Sequence, residues 1–249
     1  MLRCSSRLAK RLALAGLIAA AAAAARADPG YYVVTAYDNE GQRTIDLRYW
    51  TVKKPGKAAK LWPEVGVGYG VTSRWHTELL ASFIGTADTA TRLDDWQWQN
   101  DLLLTQGQYP FDLAIHANLI RAADSNEGYA LEIGPVLQTD VGRTQLNANL
   151  FFERSYRTDE PSPTLLKYQW QIKHRWRPAL QFGLQGFGEL GQWDDWAPRE
   201  RQSHRAGPAI FATLPPGGQR APSLQAAWLV GKTYGQSGHM FSMTVRVGF

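Results

Sequence analysis

In the last eleven residues, from His239 to Phe249, apolar and polar side chains alternate from Phe241 onward. Apolar residues occupy 241, 243, 245, 247 and 249, and the even-numbered positions 242 to 248 carry Ser, Thr, Arg and Gly. Successive side chains of a strand point to opposite faces, so this segment predicts a β-strand with one apolar and one polar face. A strand needs partners for its backbone hydrogen bonds, and the rest of the chain should therefore supply a sheet.

Similar alternating segments recur along the chain and are separated by turn-forming residues. No stretch shows the sustained i, i+3, i+4, i+7 apolar spacing of an amphipathic helix, so the fold class is predicted to be all-β. The pattern predicts twelve strands near 43–52, 61–70, 75–84, 94–105, 111–121, 127–138, 143–154, 165–175, 179–190, 204–213, 223–232 and 240–249.

Strand length and turn asymmetry favour a membrane barrel over a soluble sandwich. Strands of soluble proteins usually have about five or six residues, whereas membrane-spanning strands need about 9–11. Tight connections are predicted near 72–74, 107–110, 140–142 and 176–178. Longer polar connections alternate with them at 53–60, 85–93, 156–164 and 191–203. The long connection at 214–222 departs from this scheme. We predict a transmembrane antiparallel up-and-down β-barrel of about twelve strands over residues 43–249.

The N-terminal 27 residues have the features of a cleaved secretory signal peptide. Four basic residues precede an Ala-rich apolar run at 12–25, and small residues follow up to Ala27. The alternative is an N-terminal anchor, but the run is shorter than the roughly 20 apolar residues of a spanning helix. We expect cleavage after Ala27.

Removal of this segment changes the charge balance. Five of the 27 Lys and Arg residues lie in it and none of the 22 acidic residues do, which leaves 22 of each sign. A neutral chain gives no reason to expect a nucleic-acid partner. The only cysteine, Cys4, is lost as well. We therefore expect no disulfide, no cysteine nucleophile and no cysteine metal site. No cluster of His, Asp and Glu has metal-ligand spacing either, and we expect no metal and no cofactor.

The C-terminal strand, with Val245, Val247 and Phe249 on its apolar face, resembles the assembly signal of Gram-negative outer-membrane β-barrels. This resemblance implies location in the outer membrane, contact with its lipids and insertion by the barrel-assembly machinery through that strand. Two segments, Val65–Phe83 and His204–Pro215, are similar to parts of outer-membrane porins associated with aromatic-degradation pathways. That second resemblance supports a porin class and implies no catalytic residues.

A further strand-like run, Tyr31–Asp38, precedes the predicted wall. It could pair with residues 44–52, lie in the periplasm, or enter the lumen as a partial plug. Because odd strand counts are uncommon in bacterial barrels, residues 28–42 are interpreted as a segment outside the wall.

The aromatic residues are predicted to form two girdles at the membrane interfaces. Nine of them fall near predicted strand ends and turns. One girdle would contain Trp50, Trp62, Trp96, Trp98, Trp193 and Trp196, and the other Trp75, Tyr109 and Trp176.

The polar faces of the strands carry charges that we predict to line the lumen. Acidic residues come mostly from the first half of the wall and basic residues from the second, an arrangement that could orient a dipolar solute. The alternative is that these charges pair and fill a narrow lumen. The candidate lining residues are Asp46, Arg48, Glu64, Glu78, Asp101, Asp112, Glu132, Lys167, Lys173, Arg175, Arg205 and Arg246.

Three functions are compatible with these features. The first is a passive or selective channel for small solutes, the second a closed barrel with a structural or surface-interaction role, and the third a lipid-modifying enzyme. Asp112 and His116 share a strand face but lie roughly 13 Å apart, too far for one to orient the other. No motif links a serine to a base and an acid, so we expect no catalytic residues and no enzyme.

Overall fold

The computed structural model describes residues 32–36, 40–158, 162–214, 221–233 and 235–249. The predicted signal peptide, much of the 28–42 segment and most of the 214–222 connection lie outside these ranges. The described chain forms twelve strands, and one 3-10 turn, Ser125–Glu127, lies between the fifth and the sixth. The strands are β1 Arg43–Lys53, β2 Lys60–Gly70, β3 Trp75–Thr86, β4 Thr89–Leu103, β5 Phe111–Ala122, β6 Tyr129–Val141, β7 Thr144–Tyr156, β8 Leu165–Arg177, β9 Leu180–Gln192, β10 Ser203–Thr213, β11 Ser223–Thr233 and β12 Gln236–Gly248.

Each strand pairs antiparallel with its neighbours in the chain, and β1 pairs with β12 to close the barrel. At this seam Asp46 lies opposite Arg246, and the Phe249 N–H donates to the Arg43 carbonyl oxygen at 3.0 Å. Closure leaves no unpaired sheet edge. The prediction of an all-β, up-and-down barrel of about twelve strands is confirmed. Within the described ranges, no helix is long and apolar enough to cross a membrane.

One loop prediction is wrong. Residues 85–93 were expected to form a long polar connection, but β3 continues to Thr86 and β4 begins at Thr89, so only two residues separate them. The start of β4, residues 89–92, is exposed on both faces of the strand. A hairpin that extends beyond the apolar wall has no reason to alternate in polarity, so the sequence pattern resembled a loop.

The two faces of the wall have opposite polarity. Leu79 and Val67 point outward and are 58% and 57% exposed, whereas Asp46 and Gln185 point inward and are fully buried. On β7, Leu150 is exposed and its neighbour Asn149 is buried. Apolar side chains therefore cover the outside and polar side chains the inside, as in barrels that span a bilayer.

The barrel has two distinct ends. The β2–β3, β4–β5, β6–β7 and β8–β9 connections lie at the end that also contains Arg43 and Gly248, and we call it the turn end. The opposite end, with the β1–β2, β7–β8 and β9–β10 connections, is the loop end.

Apolar side chains also fill part of the interior. One cluster near the loop end contains Trp50, Trp62, Leu229 and Met240, all buried. A second cluster, which contains Leu103, Val136 and Phe151, lies on the opposite wall. The interior is thus partly packed rather than lined only by polar groups.

The predicted placement of Trp50 and Trp62 in an interface girdle is wrong. Both point inward, are 3% and 9% exposed, and stack with ring centroids 3.9 Å apart. Trp96 and Trp98 do lie outside, with 55% and 48% exposure. The remaining predicted girdle residues are exposed as well: Trp75, Tyr109, Trp176, Trp193 and Trp196.

Candidate functional site: the lumen of the barrel

All twelve predicted lining charges are at least partly buried. Seven of them are buried: Asp46, Arg48, Glu64, Glu78, Asp101, Lys167 and Arg205. The other five are partly buried: Asp112, Glu132, Lys173, Arg175 and Arg246. Buried charges require counter-ions or hydrogen bonds, so their partners define what the lumen can do.

A first ion network extends from β12 across β1 to β3. Arg48 Nη2 lies 2.7 Å from Glu78 Oε2, and its Nη1 lies 4.0 Å from Glu64. Arg246 Nε donates to Asp46 Oδ1 at 2.7 Å, and its Nη2 is 3.6 Å from Glu78. Two guanidinium groups therefore lie among three carboxylates along one wall.

A second network joins β4 to β8. Lys167 donates to Glu132 at 3.2 Å and also to Glu153. His116 Nδ1 lies 2.7 Å from Asp101 Oδ1, and its Nε2 is 3.8 Å from Glu132. Glu132 on β6 thus lies near both the imidazole of His116 on β5 and the ammonium group of Lys167 on β8.

The remaining pairs are smaller. Arg205 Nη1 donates to Glu189 at 3.0 Å, and Arg175 pairs with Asp140 at 3.0 Å near the turn end, where both side chains are about half exposed. Most pairs join neighbouring strands, so opposite charges are held side by side on the wall rather than facing each other across the lumen. Asp112 and Lys173 form no ion pair with any described residue.

Sequence reasoning missed His116, Glu153 and Glu189. His116 was compared only with Asp112 on its own strand, whereas its partner, Asp101, lies opposite it on β4. Such a contact depends on strand register, which hairpin length sets and which the alternation of a single strand does not reveal.

Residues 32–36 lie inside the barrel. The Val34 N–H donates to Gln169 Oε1 at 3.0 Å, and the Val34 carbonyl oxygen accepts from Asn149 Nδ2 at 2.8 Å. Val33 and Val34 are 5% and 3% exposed, and they pack in the first and second apolar clusters respectively. Amide side chains of β7 and β8 therefore satisfy the backbone of a segment that has no strand partner.

Tyr32 contacts side chains of β1 and β4, whereas Val34 is bonded to β7 and β8. The Arg48 guanidinium carbon lies 3.8 Å from the centre of its ring, a cation–π contact, and Gln99 Nε2 donates to its hydroxyl oxygen. Burial raises the pKa of Tyr32, which the nearby Arg48 charge opposes. The phenol is therefore neutral at physiological pH and can serve as a hydrogen-bonding group.

The barrel has two cavities of note, and the first of them adjoins these groups. One of about 200 Å³ lies between residues 32–36 and the wall formed by β8 to β12 and β1. Another of about 380 Å³ lies at the loop end, beside Lys53, Lys54 and Lys232. In the part of the chain that the structure describes, no group of three His, Cys, Asp or Glu residues could hold a metal ion.

No protein-family model and no curated protein sequence matches the chain. Several solved structures, however, are similar to this chain in fold. An outer-membrane channel from Pseudomonas putida F1 superposes with a TM-score of 0.62 at 10% identity, over 90% of this chain and 100% of that one. The NanC porin superposes with a TM-score of 0.59 at 10% identity, over 82% of this chain and 98% of that one. At this level of identity the likeness shows the fold, and this chain has the closed-barrel fold of Gram-negative outer-membrane porins and channels.

Proposed function

We propose that this protein is an outer-membrane channel that passes small solutes through a lumen narrowed by residues 32–36. The observation that carries the proposal is a chain segment hydrogen-bonded inside a closed barrel, beside a charged cavity of about 200 Å³. The fold shared with two outer-membrane channels supports it. The proposal includes no catalytic step and no nucleic-acid partner.

The outer surface supports a bilayer location. Exposed apolar side chains such as Val67, Leu79 and Ile210 surround the barrel, and water would not solvate so large an apolar surface favourably. Outer-membrane lipids would cover it. The signal peptide would direct export, and the strand that ends at Phe249 would be the signal for the barrel-assembly machinery.

The lumen charges favour selection over free diffusion. Arg48 and Arg246 are fixed by carboxylates, and Tyr32 and Val34 occupy the space that a wide pore would leave open. A solute must pass between residues 32–36 and the wall of β8 to β12. Fixed ions and hydrogen-bonding groups close to its path would discriminate by charge and size.

A second candidate is a closed barrel with a structural or surface-interaction role. The packed apolar clusters and the paired charges favour it, because both reduce the open volume of the lumen. The two candidates differ in whether a solute can reach the cavity beside residues 32–36.

Thiol modification tests the channel. In a Cys4→Ser background, Thr244→Cys places a thiol on the lining of the cavity, and Met243→Cys places one on the outer face of the same strand. We expect refolded Thr244→Cys protein to conduct in planar bilayers and to lose most of that conductance after reaction with a charged thiol reagent. Met243→Cys should keep its conductance. Absence of conductance in both variants before reaction would favour the closed barrel.

A further inference from the structure

The cavity between residues 32–36 and the wall of β8 to β12 has the features of a ligand site. Its lining includes the ring of Phe211, the polar side chains of Gln171, Gln181 and Thr244, and three basic residues, Lys173, Arg48 and Arg246. It belongs to the lumen, so what binds there bears on what the channel passes. This inference therefore rests on the proposed function and names its substrate class.

Lys173 differs from the other lumen cations. Arg48, Lys167, Arg205 and Arg246 each have a carboxylate oxygen within 3.2 Å. The ammonium group of Lys173 has no ion pair or hydrogen bond with any described residue, and its Nζ lies 5.6 Å from the centre of the Phe211 ring.

The one carboxylate that acts on Lys173 already has another partner. Arg175 and Asp140 are close to it, but they pair with each other at 3.0 Å. A partly buried ammonium group without a counter-ion favours an anion that enters the cavity.

The amide oxygens add a second requirement. Gln171 is 1% exposed, and its Oε1, like that of Gln181, has no hydrogen-bond donor among the described residues. Both side chains line the same cavity. Buried acceptors without donors are costly, so a ligand that donates a hydrogen bond would be favoured over one that only accepts.

Part of the remaining lining is apolar. Phe211 and Val33 are 8% and 5% exposed and belong to one cluster at the edge of the cavity. We infer that the cavity binds a small hydroxycarboxylate: the carboxylate pairs with Lys173, the hydroxyl donates to the amide oxygen of Gln181, and a short apolar body packs against Phe211.

Three related probes separate these contributions: 3-hydroxybutyrate carries both polar groups, butyrate lacks the hydroxyl, and 1,3-butanediol lacks the charge. Binding to the refolded protein in detergent is measured by saturation-transfer NMR titration, which does not require conduction. We expect 3-hydroxybutyrate to bind most tightly, butyrate several-fold more weakly and the diol not measurably. Equal binding of acid and diol, or no binding of 3-hydroxybutyrate, would overturn the inference.

Substitutions locate the site. Lys173→Gln should weaken 3-hydroxybutyrate binding about tenfold, the factor expected for one charge-assisted hydrogen bond. Lys173→Arg should retain most of the affinity. Lys232→Gln, the same change at an exposed residue of the loop end, should have no effect. Gln181→Leu should weaken 3-hydroxybutyrate to the level of butyrate and leave butyrate unchanged, which gives a test that does not depend on the folding of Lys173→Gln.

The outcomes separate this inference from the channel itself. Binding that is lost in Lys173→Gln, in a protein that does not conduct, would support the ligand site and contradict the channel. Conduction together with equal binding by the wild type, Lys173→Gln and Gln181→Leu would contradict the ligand site and leave the channel standing.

Discussion

Arg48 lies with its guanidinium carbon 3.8 Å above the ring of Tyr32, and the same guanidinium group is 2.7 Å from Glu78. One side chain of the wall thus contacts both the inserted segment and the ion network of β1 to β3. Because Arg48 is 4% exposed and held by carboxylates, it provides a fixed surface for the Tyr32 ring. The position of residues 32–36 is therefore coupled to the charges of the lumen.

The inserted segment should be released when its amide partners are removed. Asn149→Ala combined with Gln169→Ala eliminates the two side chains that bond to the Val34 backbone. We expect a larger and noisier single-channel conductance, because the segment would no longer be held in one place. Asn147→Ala is the control, since Asn147 bonds to Gln138 on the wall instead. Equal conductance of the double variant and the control would mean that these bonds do not position the segment.

Lys167 should be important for stability. Lys167→Met leaves Glu132 and Glu153 without their ammonium partner, and uncompensated buried charges cost about 3–5 kcal/mol. Arg175→Met, which breaks the exposed pair with Asp140, should cost at most about 1 kcal/mol. Urea unfolding of the protein in lipid vesicles measures both. Losses of similar size would indicate that water screens the Lys167 network as well.

Tryptophan residues on the outer and inner faces of the barrel should differ in how strongly lipids quench their fluorescence. Lipids with brominated acyl chains quench indoles on the outer surface, so Trp96→Phe should remove a quenchable fraction of the fluorescence. Trp62→Phe should lower the total emission without reducing the quenched part, because the Trp62 ring stacks on Trp50 inside the barrel. Loss of lipid-quenchable signal in Trp62→Phe would contradict the inward orientation of this pair.

A charged residue on the outer face of the barrel should destabilise the protein. Leu150 is exposed near the middle of β7, and an arginine at mid-membrane costs about 2–4 kcal/mol. Leu150→Arg should therefore lower the free energy of unfolding by that amount, whereas Leu150→Met should be close to wild type. The comparison is made in the same vesicles. An arginine tolerated as well as methionine would indicate that this face does not contact hydrocarbon.

Strand alternation was enough to predict the twelve strands and their two faces. Leu150 and Asn149 differ in polarity because one faces outward and the other inward, and that difference is visible in the sequence. The hairpin at Thr86 and Thr89 was not predictable in this way, since residues on both of its faces are exposed. The orientation of Trp50 and Trp62 was also mispredicted, because an aromatic residue near a strand end suits an interface girdle as well as a stacked interior pair.

The lumen was less accessible to sequence reasoning than the wall. The alternation identified inward charges such as Lys167 and Asp101, but not which of them meet. The contact between Asp101 and His116 depends on the register of β4 and β5. The bonds from Asn149 and Gln169 to Val34 join residues more than 100 positions apart, and no local pattern encodes them.

The most direct test of the account compares the single-channel conductance of the wild type with that of a chain lacking residues 32–36. Both proteins are first checked for a closed barrel by their heat-modifiable mobility on a gel. The account predicts small conductance steps for the wild type and clearly larger steps for the deletion, because the solute path runs between the segment and the wall of β8 to β12 and widens when the segment is removed. Identical steps would contradict the role of the segment, and no conductance from either folded protein would contradict the channel.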